Sequence, residues 1–490
     1  MTTATLNRHE SSKYMLDKLD FIDDAAIETT IRATPSPDPV FVRAIIQKAL
    51  SIETLAPDET ATLLNVTDPG LLAAMEEAAL AIKNKVYDNR IVTFAPLYMS
   101  TKCVNNCKYC GLRSENTAMK RGVLTQEQVR SEIEALAGDI GHKRLIAVYG
   151  EHPESSADYM VETLQTIYGV RVKTRGGAGR GAIRRVNINA APMDVRDLAM
   201  LHQAGIGTYQ VFQETYHHET YASLHPKNTS KADYAWRLYC MHRAMEAGIE
   251  DVGIGALFGL YDWKFEVMGL LMHAIELEKK FGLGPHTVSF PRLEPAENTP
   301  FARRSSHAVS DADFRKAVVV LRLAVPYAGM ILTAREKPET RDAMVRLGIT
   351  QMDASSSVGL GAYSDPQKAQ QPNRQQFILG DTRTLDELIR DLAAMGNITS
   401  FCTAGYRCGR TGKCIMDLLR SGQEGKFCKL NAVITFREWL DDFASDATKA
   451  AGESVIKREI QEIEKKMPKV FKEFMENYAK TEKGERDLYF

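Results

Sequence analysis

Apolar positions in the first ninety residues recur at spacings of three and four, most clearly in VFVRAIIQKAL (40–50) and DPGLLAAMEEAALAIKNKVY (68–87). That is the periodicity of helices that bury one face. The second run opens with Asp68 and Pro69, a capping side chain followed by a residue whose fixed φ suits the first helical turn. No catalytic constellation appears here, so residues 1–90 are expected to form a helical cap. From Ile91 the pattern changes to short β-branched and apolar runs alternating with helical stretches. Eight runs can be counted: 91–100, 144–150, 184–190, 207–213, 251–258, 286–292, 330–336 and 350–356. Alternation of this kind is the mark of parallel strands joined by crossover helices.

Eight strand–helix units predict an α/β chain closed into a (β/α)₈ barrel over residues 91–365. A cysteine-containing domain is expected over 366–445 and a charged helical tail, interrupted at Pro468, over 446–490. In such barrels the chemistry sits on loops leaving the C-terminal ends of the strands. The tail offers a partner or homodimer surface, although a helix packed on its own domain needs no such role.

Composition narrows the function classes. The 490 residues carry 62 basic and 63 acidic side chains, a formal charge of −1, which argues against a general nucleic-acid binder. The arginines among glycines in KTRGGAGRGAIRR (173–185) precede the third strand, on the face opposite the chemistry, and read as a solvated loop. No run of about 18 apolar residues appears, and MTTATLNRHESSKY lacks the apolar core of a secretory signal. A cytoplasmic protein without membrane attachment is expected. Of eight cysteines, three stand close together and four lie between 402 and 428, a distribution of metal sites rather than disulfide staples. Cys240, in a helical pattern, reads as a small buried side chain.

The close set is KCVNNCKYCGLR, with Cys103, Cys107 and Cys110 as C-x₃-C-x₂-C directly after the first strand. Three thiolates so near one another read as metal ligands. Tetrahedral zinc wants a fourth protein ligand, whereas a [4Fe–4S] cluster on three cysteines keeps one iron open for a small molecule. The spacing, with Tyr109 before the third cysteine, resembles the radical S-adenosylmethionine (SAM) enzymes, whose open iron binds SAM.

That resemblance gives meaning to the other strand ends. Gly150 and Glu151 in GEHP resemble the family's segment that receives the amino group of SAM. Gln213 and Glu214 follow the fourth strand and are counted with the cofactor-binding groups. Gly253 and Gly255 in GIGALFGLYD resemble the adenine-binding segment, the alternative being close packing. Arg292 and Arg335 end the sixth and seventh strands, and a guanidinium fork matches the carboxylate of SAM or of an amino acid. The alternative for each is an ion pair with Glu294 or Glu336.

Taken together, PLYMSTKCVNNCKYCGLR, GIGTYQVFQETYH, GPHTVSFPRLEPA, VPYAGMILTAREKP and SFCTAGYRCGRTGK resemble the radical SAM tyrosine lyases of [FeFe]-hydrogenase maturation, the HydG family, over about residues 90 to 445. The likeness is more distant to 2-iminoacetate synthase (ThiH) and tryptophan lyases. The resemblance implies SAM cleavage to a 5′-deoxyadenosyl radical, electrons from flavodoxin or ferredoxin, and Cα–Cβ scission of an aromatic amino acid. For tyrosine the resemblance implies p-cresol and dehydroglycine as products, and metallocofactor maturation as the setting. A related enzyme acting on another amino acid, and a non-catalytic iron–sulfur or zinc scaffold, are the competing readings.

The chain departs from the family near its C-terminus. The resemblance implies a second iron–sulfur cluster on C-x₂-C-x₂₂-C, which aligns with Cys402 and Cys428 but puts Gly405 at the middle ligand. Cys408 lies three residues on, within reach along one helix face. A rearranged iron–sulfur site using Cys408, a zinc site, and residual cysteines without metal all stay open. The family's extra iron takes a histidine after the fourth strand, for which His225 is the better positional match and His217 the second.

Overall fold

A computed structural model describes residues 8–34, 37–177, 179–421 and 424–490, without the side chains of 8–10 and 424–427. The residues that open the chain and Ala178 of the arginine–glycine segment lie outside the described residues. Four helices, Asp24–Ala33, Pro39–Leu50, Pro57–Asn65 and Pro69–Tyr87, precede the first strand. Asp68 caps the last of them by accepting from the Leu71 amide at 2.8 Å. Its buried stripe includes Leu71, Met75, Ala78, Ala79, Ile82 and Val86, the expected spacing. The stripe packs against the helix Asp311–Ala324 of the main domain.

Eight parallel strands follow: β1 (Arg90–Ser100), β2 (Arg144–Tyr149), β3 (Arg185–Asn189), β4 (Tyr209–Gln210), β5 (Val252–Gly255), β6 (Thr287–Ser289), β7 (Gly329–Leu332) and β8 (Gln351–Asp353). Each pairs with the next, and β8 returns to β1 with Val92 opposite Gln351, so the sheet closes. All eight runs seen in the sequence supply a strand. Several ladders are shorter than the runs, and beyond their ends only single bridges continue the pairing, such as Glu214 to Ala256 and Phe258 to Arg292.

Alternation sorts the side chains. Leu145 and Ala147 of β2 face the outer core, while Ile146 and Val148 line the interior. A ninth strand, β9 (Ile398–Ser400), pairs with the start of β1, Arg90 opposite Ile398. The sequence pattern does not announce β9, because three residues are too few for a period.

The C-terminal helices Glu424–Phe443, Asp446–Lys466 and Pro468–Glu482 pack together beside β9. They also change the picture of the arginine–glycine segment. Gly176 N donates to the Asp442 carbonyl at 2.8 Å, and Arg184 forks onto Glu438, which also takes Lys143 at 2.8 Å. Those ends are pinned to the helix rather than solvated. Cys240 is fully buried, as expected. Among the described residues, no helix is long and apolar enough to cross a membrane.

Candidate active site

β1 runs into the loop carrying Cys103, Cys107 and Cys110, and all three line one cavity of about 230 Å³ at the C-terminal ends of the strands. None forms a disulfide. Burial pushes the Cys107 thiol up to about 12 and raises that of Cys110 as well. Thiols in so poor a solvent ionise readily only beside a cation, which suits them to a metal centre. Among the described residues neither a fourth cysteine nor a histidine lines this cavity. Of the carboxylates that line it, Glu151 bonds Asn105, Glu214 bonds Lys231 and Asp353 bonds Ser356, so the three thiols are left as a donor set that fits a cluster with one open iron.

The surroundings hold the loop in place. Asn105 Nδ2 stands 3.8 Å from Cys103 Sγ, and Gln376 Nε2 stands 3.6 Å from Cys110 Sγ. Contacts of this kind orient and tune sulfur ligands. A Cβ at Gly150 would lie 2.1 Å from the Lys102 carbonyl oxygen, so only glycine lets the end of β2 pass the cysteine loop. Glu151 is tied to the same loop: its carbonyl accepts from Val104 N at 2.8 Å and its Oε2 from Asn105 Nδ2 at 2.5 Å.

The two arginines part company. Arg335 lines the cavity with its guanidinium 3.4 Å from the centre of the Phe377 ring, and among the described residues it makes no ion pair. Burial pulls its pKa below the ordinary arginine value. Arg292 does not line the cavity. Its Nε donates to Glu336 at 2.9 Å, its Nη2 to the same carboxylate, and its Nη1 to the Val309 carbonyl at 3.0 Å and to Asp311 at 2.7 Å. It clamps the sixth and seventh strand ends together.

Glu214 lines the cavity at a φ of 74°, a left-handed conformation uncommon for a residue with a side chain. Its Oε1 accepts from Lys231 Nζ at 2.6 Å. Burial opposes its ionisation, but Lys231 and Arg237 outweigh that and hold the carboxyl below its usual range. Gln213 is buried and does not line the cavity. Gly253 and Gly255 serve packing: a Cβ at 253 would meet Gln210 Cγ at 2.7 Å, and one at 255 would meet Phe212 Cδ1 at 2.5 Å. Lys231, Arg237 and Gln376 line the cavity without any motif to mark them in the sequence.

The second group of cysteines lies at the opposite end. Cys402 and Cys428 line a small cavity of about 20 Å³ with Arg90, Ser400 and Gly405. Arg90 begins β1, whose 11 residues at about 3.3 Å each put the two ends of the barrel roughly 30 Å apart. Cys408 is not brought there: it is exposed at the end of the short helix Ala404–Arg407, and its Sγ donates to the Phe490 carbonyl at 3.4 Å. Cys414 is exposed as well.

His225 is not at this floor either. It sits behind the cysteine loop, its Nε2 2.9 Å from the Tyr109 hydroxyl and its Nδ1 2.8 Å from the Tyr221 carbonyl. Burial pushes its pKa down to about 2, so the neutral ring spends both nitrogens on these bonds. His217 is stacked on Tyr261 at 3.9 Å. The histidine beside the floor helix is His286, whose Nε2 is 3.1 Å from the Tyr406 hydroxyl.

Comparison with known proteins bears on this geometry. Residues 97–270 match the Radical SAM superfamily, and residues 289–398 match the Biotin and Thiamin Synthesis associated domain. The chain is 29% identical over 355 residues to 2-iminoacetate synthase of Escherichia coli (strain K12), covering 72% of this chain and 88% of that one. It superposes on a crystal structure of HydG, a maturase of the [FeFe]-hydrogenase, with a TM-score of 0.90 and 45% identity, covering 96% of this chain and 100% of that one. For HydG from Carboxydothermus hydrogenoformans the TM-score is 0.77 at 35% identity, covering 94% and 98%. Likeness of that degree along the whole length of a relative fixes the family: the chain belongs to the radical SAM enzymes of the HydG and 2-iminoacetate synthase family.

Proposed function

We propose that this chain cleaves the Cα–Cβ bond of an aromatic amino acid, tyrosine first, to p-cresol and dehydroglycine, and that its chemistry stops there. Membership of the family implies a [4Fe–4S] cluster and SAM. Cys103, Cys107 and Cys110 would hold the cluster, and Gly150 and Glu151 would receive the amino group of SAM. When bound, cluster and SAM together supply a radical that takes a hydrogen atom from the substrate.

The observation that carries this reading is Arg335, a guanidinium that lines the cavity over Phe377 and among the described residues makes no ion pair, in a cavity whose lining also includes Phe94, Ile146 and Ile331. Its fork suits an amino-acid carboxylate and the apolar lining suits an aromatic ring. Arg237 and Lys231 keep Glu214 ionised at the same mouth, an acceptor for an ammonium group. The proposed stop at dehydroglycine rests on Gly405, which offers no ligand between Cys402 and Cys428, and on Cys408 lying outside their cavity. A part in metallocofactor maturation would require some other means of completing that floor.

The test is coupling. In Arg335→Lys the single ammonium cannot reproduce two parallel N–H bonds, and a slightly misplaced substrate costs about 10²-fold in rate. Expected is 5′-deoxyadenosine formation with about 10²-fold less p-cresol per SAM cleaved, and an unaltered cluster absorbance. Unchanged coupling would move the carboxylate contact away from Arg335. An unaltered enzyme that releases no p-cresol from tyrosine would remove the tyrosine reading.

A further inference from the structure

Resting on that reading, we infer that Gln210 and Ser289 hold the phenol hydroxyl of the substrate and so select tyrosine over phenylalanine. Both residues line the mouth cavity from the last positions of β4 and β6, and they are only 3% and 2% exposed. Among the described residues, Gln210 Nε2 and Ser289 Oγ have no hydrogen-bond partner. Buried polar groups are nearly always paired, so unpaired polar atoms on the lining of one cavity, with Thr333 Oγ1 as a third nearer Arg335, point to a ligand that pairs them.

The packing fixes where they stand. Gly253 yields the inner face of β5, since a Cβ there would lie 2.7 Å from Gln210 Cγ and 2.6 Å from Thr287 Oγ1. The Gln210 side chain takes up the space that a side chain at 253 would need. Ser289 is in register with Ile331, level with the apolar wall of Phe94, Ile146 and Ile331. Arg335 lies four residues beyond Ile331, at most roughly 13 Å along the chain. Less the inward reach of the guanidinium, that interval matches a tyrosine laid from its carboxylate to its phenol oxygen. The chemistry also matches: the amide N–H of Gln210 donates to the phenol oxygen, and the Ser289 hydroxyl accepts the phenol hydrogen. Phenylalanine would leave both groups unpaired, and sites built to hydrogen-bond a substrate hydroxyl reject the analogue lacking it by large factors.

The test compares kcat/KM for tyrosine, read as p-cresol, and for phenylalanine, read as toluene, in the reconstituted full chain. Ser289→Ala and Gln210→Leu are measured singly and together, and tyrosine binding is followed by calorimetry. The unaltered enzyme is expected to prefer tyrosine by about 10³-fold or more. The double variant should bring the two substrates within about tenfold, through weaker tyrosine binding and a higher KM, while phenylalanine turnover is kept or raised. A merely structural lesion lowers both substrates together, and that result, or an undiminished preference for tyrosine, overturns the inference while leaving the lyase reading intact. If the unaltered chain cleaves neither amino acid, the lyase reading falls and takes this inference with it. Ser289→Ala removes a single oxygen and carries the test should the glutamine variant fail to fold.

Discussion

Replacing Cys103, Cys107 and Cys110 together by alanine is expected to reduce 5′-deoxyadenosine formation to background while leaving the barrel folded. Activity should vanish because the three thiols are the only sulfur donors lining the mouth cavity among the described residues. Asn105 and Gln376 can orient a sulfur ligand but cannot replace one. The fold should survive because the loop has its own scaffold. Arg121 donates to the carbonyls of Leu112 at 2.7 Å and Asn116 at 3.1 Å, and Asn116 Nδ2 donates to Gly111 at 2.8 Å. Circular dichroism and anaerobic assay on the same sample separate the two effects. SAM cleavage persisting in the triple variant would contradict the assignment, and a scaffold without turnover would show none even in the unaltered chain.

The second large effect is a gain. Gly405→Cys should restore a three-thiolate floor with Cys402 and Cys428, adding about four irons per chain on reconstitution. The substitution fits: a Cβ at 405 meets nothing closer than Arg410 Cβ and carbonyl oxygen at 3.8 Å, an ordinary contact. The glycine is also free of the positive φ that would resist a side chain. Iron and sulfide analysis should rise, and carbon monoxide should go from trace to a substantial share of the p-cresol released. Cys408→Ala should change neither quantity, because its thiol is exposed, bonds the Phe490 oxygen and does not line the cavity. A fall in iron content in Cys408→Ala would mean that Cys408 reaches the floor after all.

How much could be read without coordinates depended on whether the signal was local. Eight periodic runs gave eight strands, and a cysteine array directly after the first of them had to fall at the barrel mouth. Gly150 was visible for the same reason, one residue past a strand end. Arg292 and Arg335 occupy equivalent positions and look alike in the sequence. They differ because Glu336 and Asp311 turn toward one and Phe377 toward the other. Lys231, Arg237 and Gln376 reach the cavity from segments without a repeat or motif, so only folding brings them in. The place of His225 after the fourth strand points to the extra iron, but the helix His218–Leu224 delivers it to Tyr109 at the mouth. His286, at the opposite end of its strand, is the one beside the floor.

The most direct measurement is a single anaerobic turnover of tyrosine with reconstituted full chain, SAM and reductant. p-Cresol is quantified by mass spectrometry, carbon monoxide by haemoglobin trapping, and cyanide after derivatisation, all from one vessel. A mouth that cleaves tyrosine above a floor lacking its middle ligand yields p-cresol with 5′-deoxyadenosine and only traces of carbon monoxide and cyanide. Carbon monoxide and cyanide in near-stoichiometric amounts with p-cresol would contradict it.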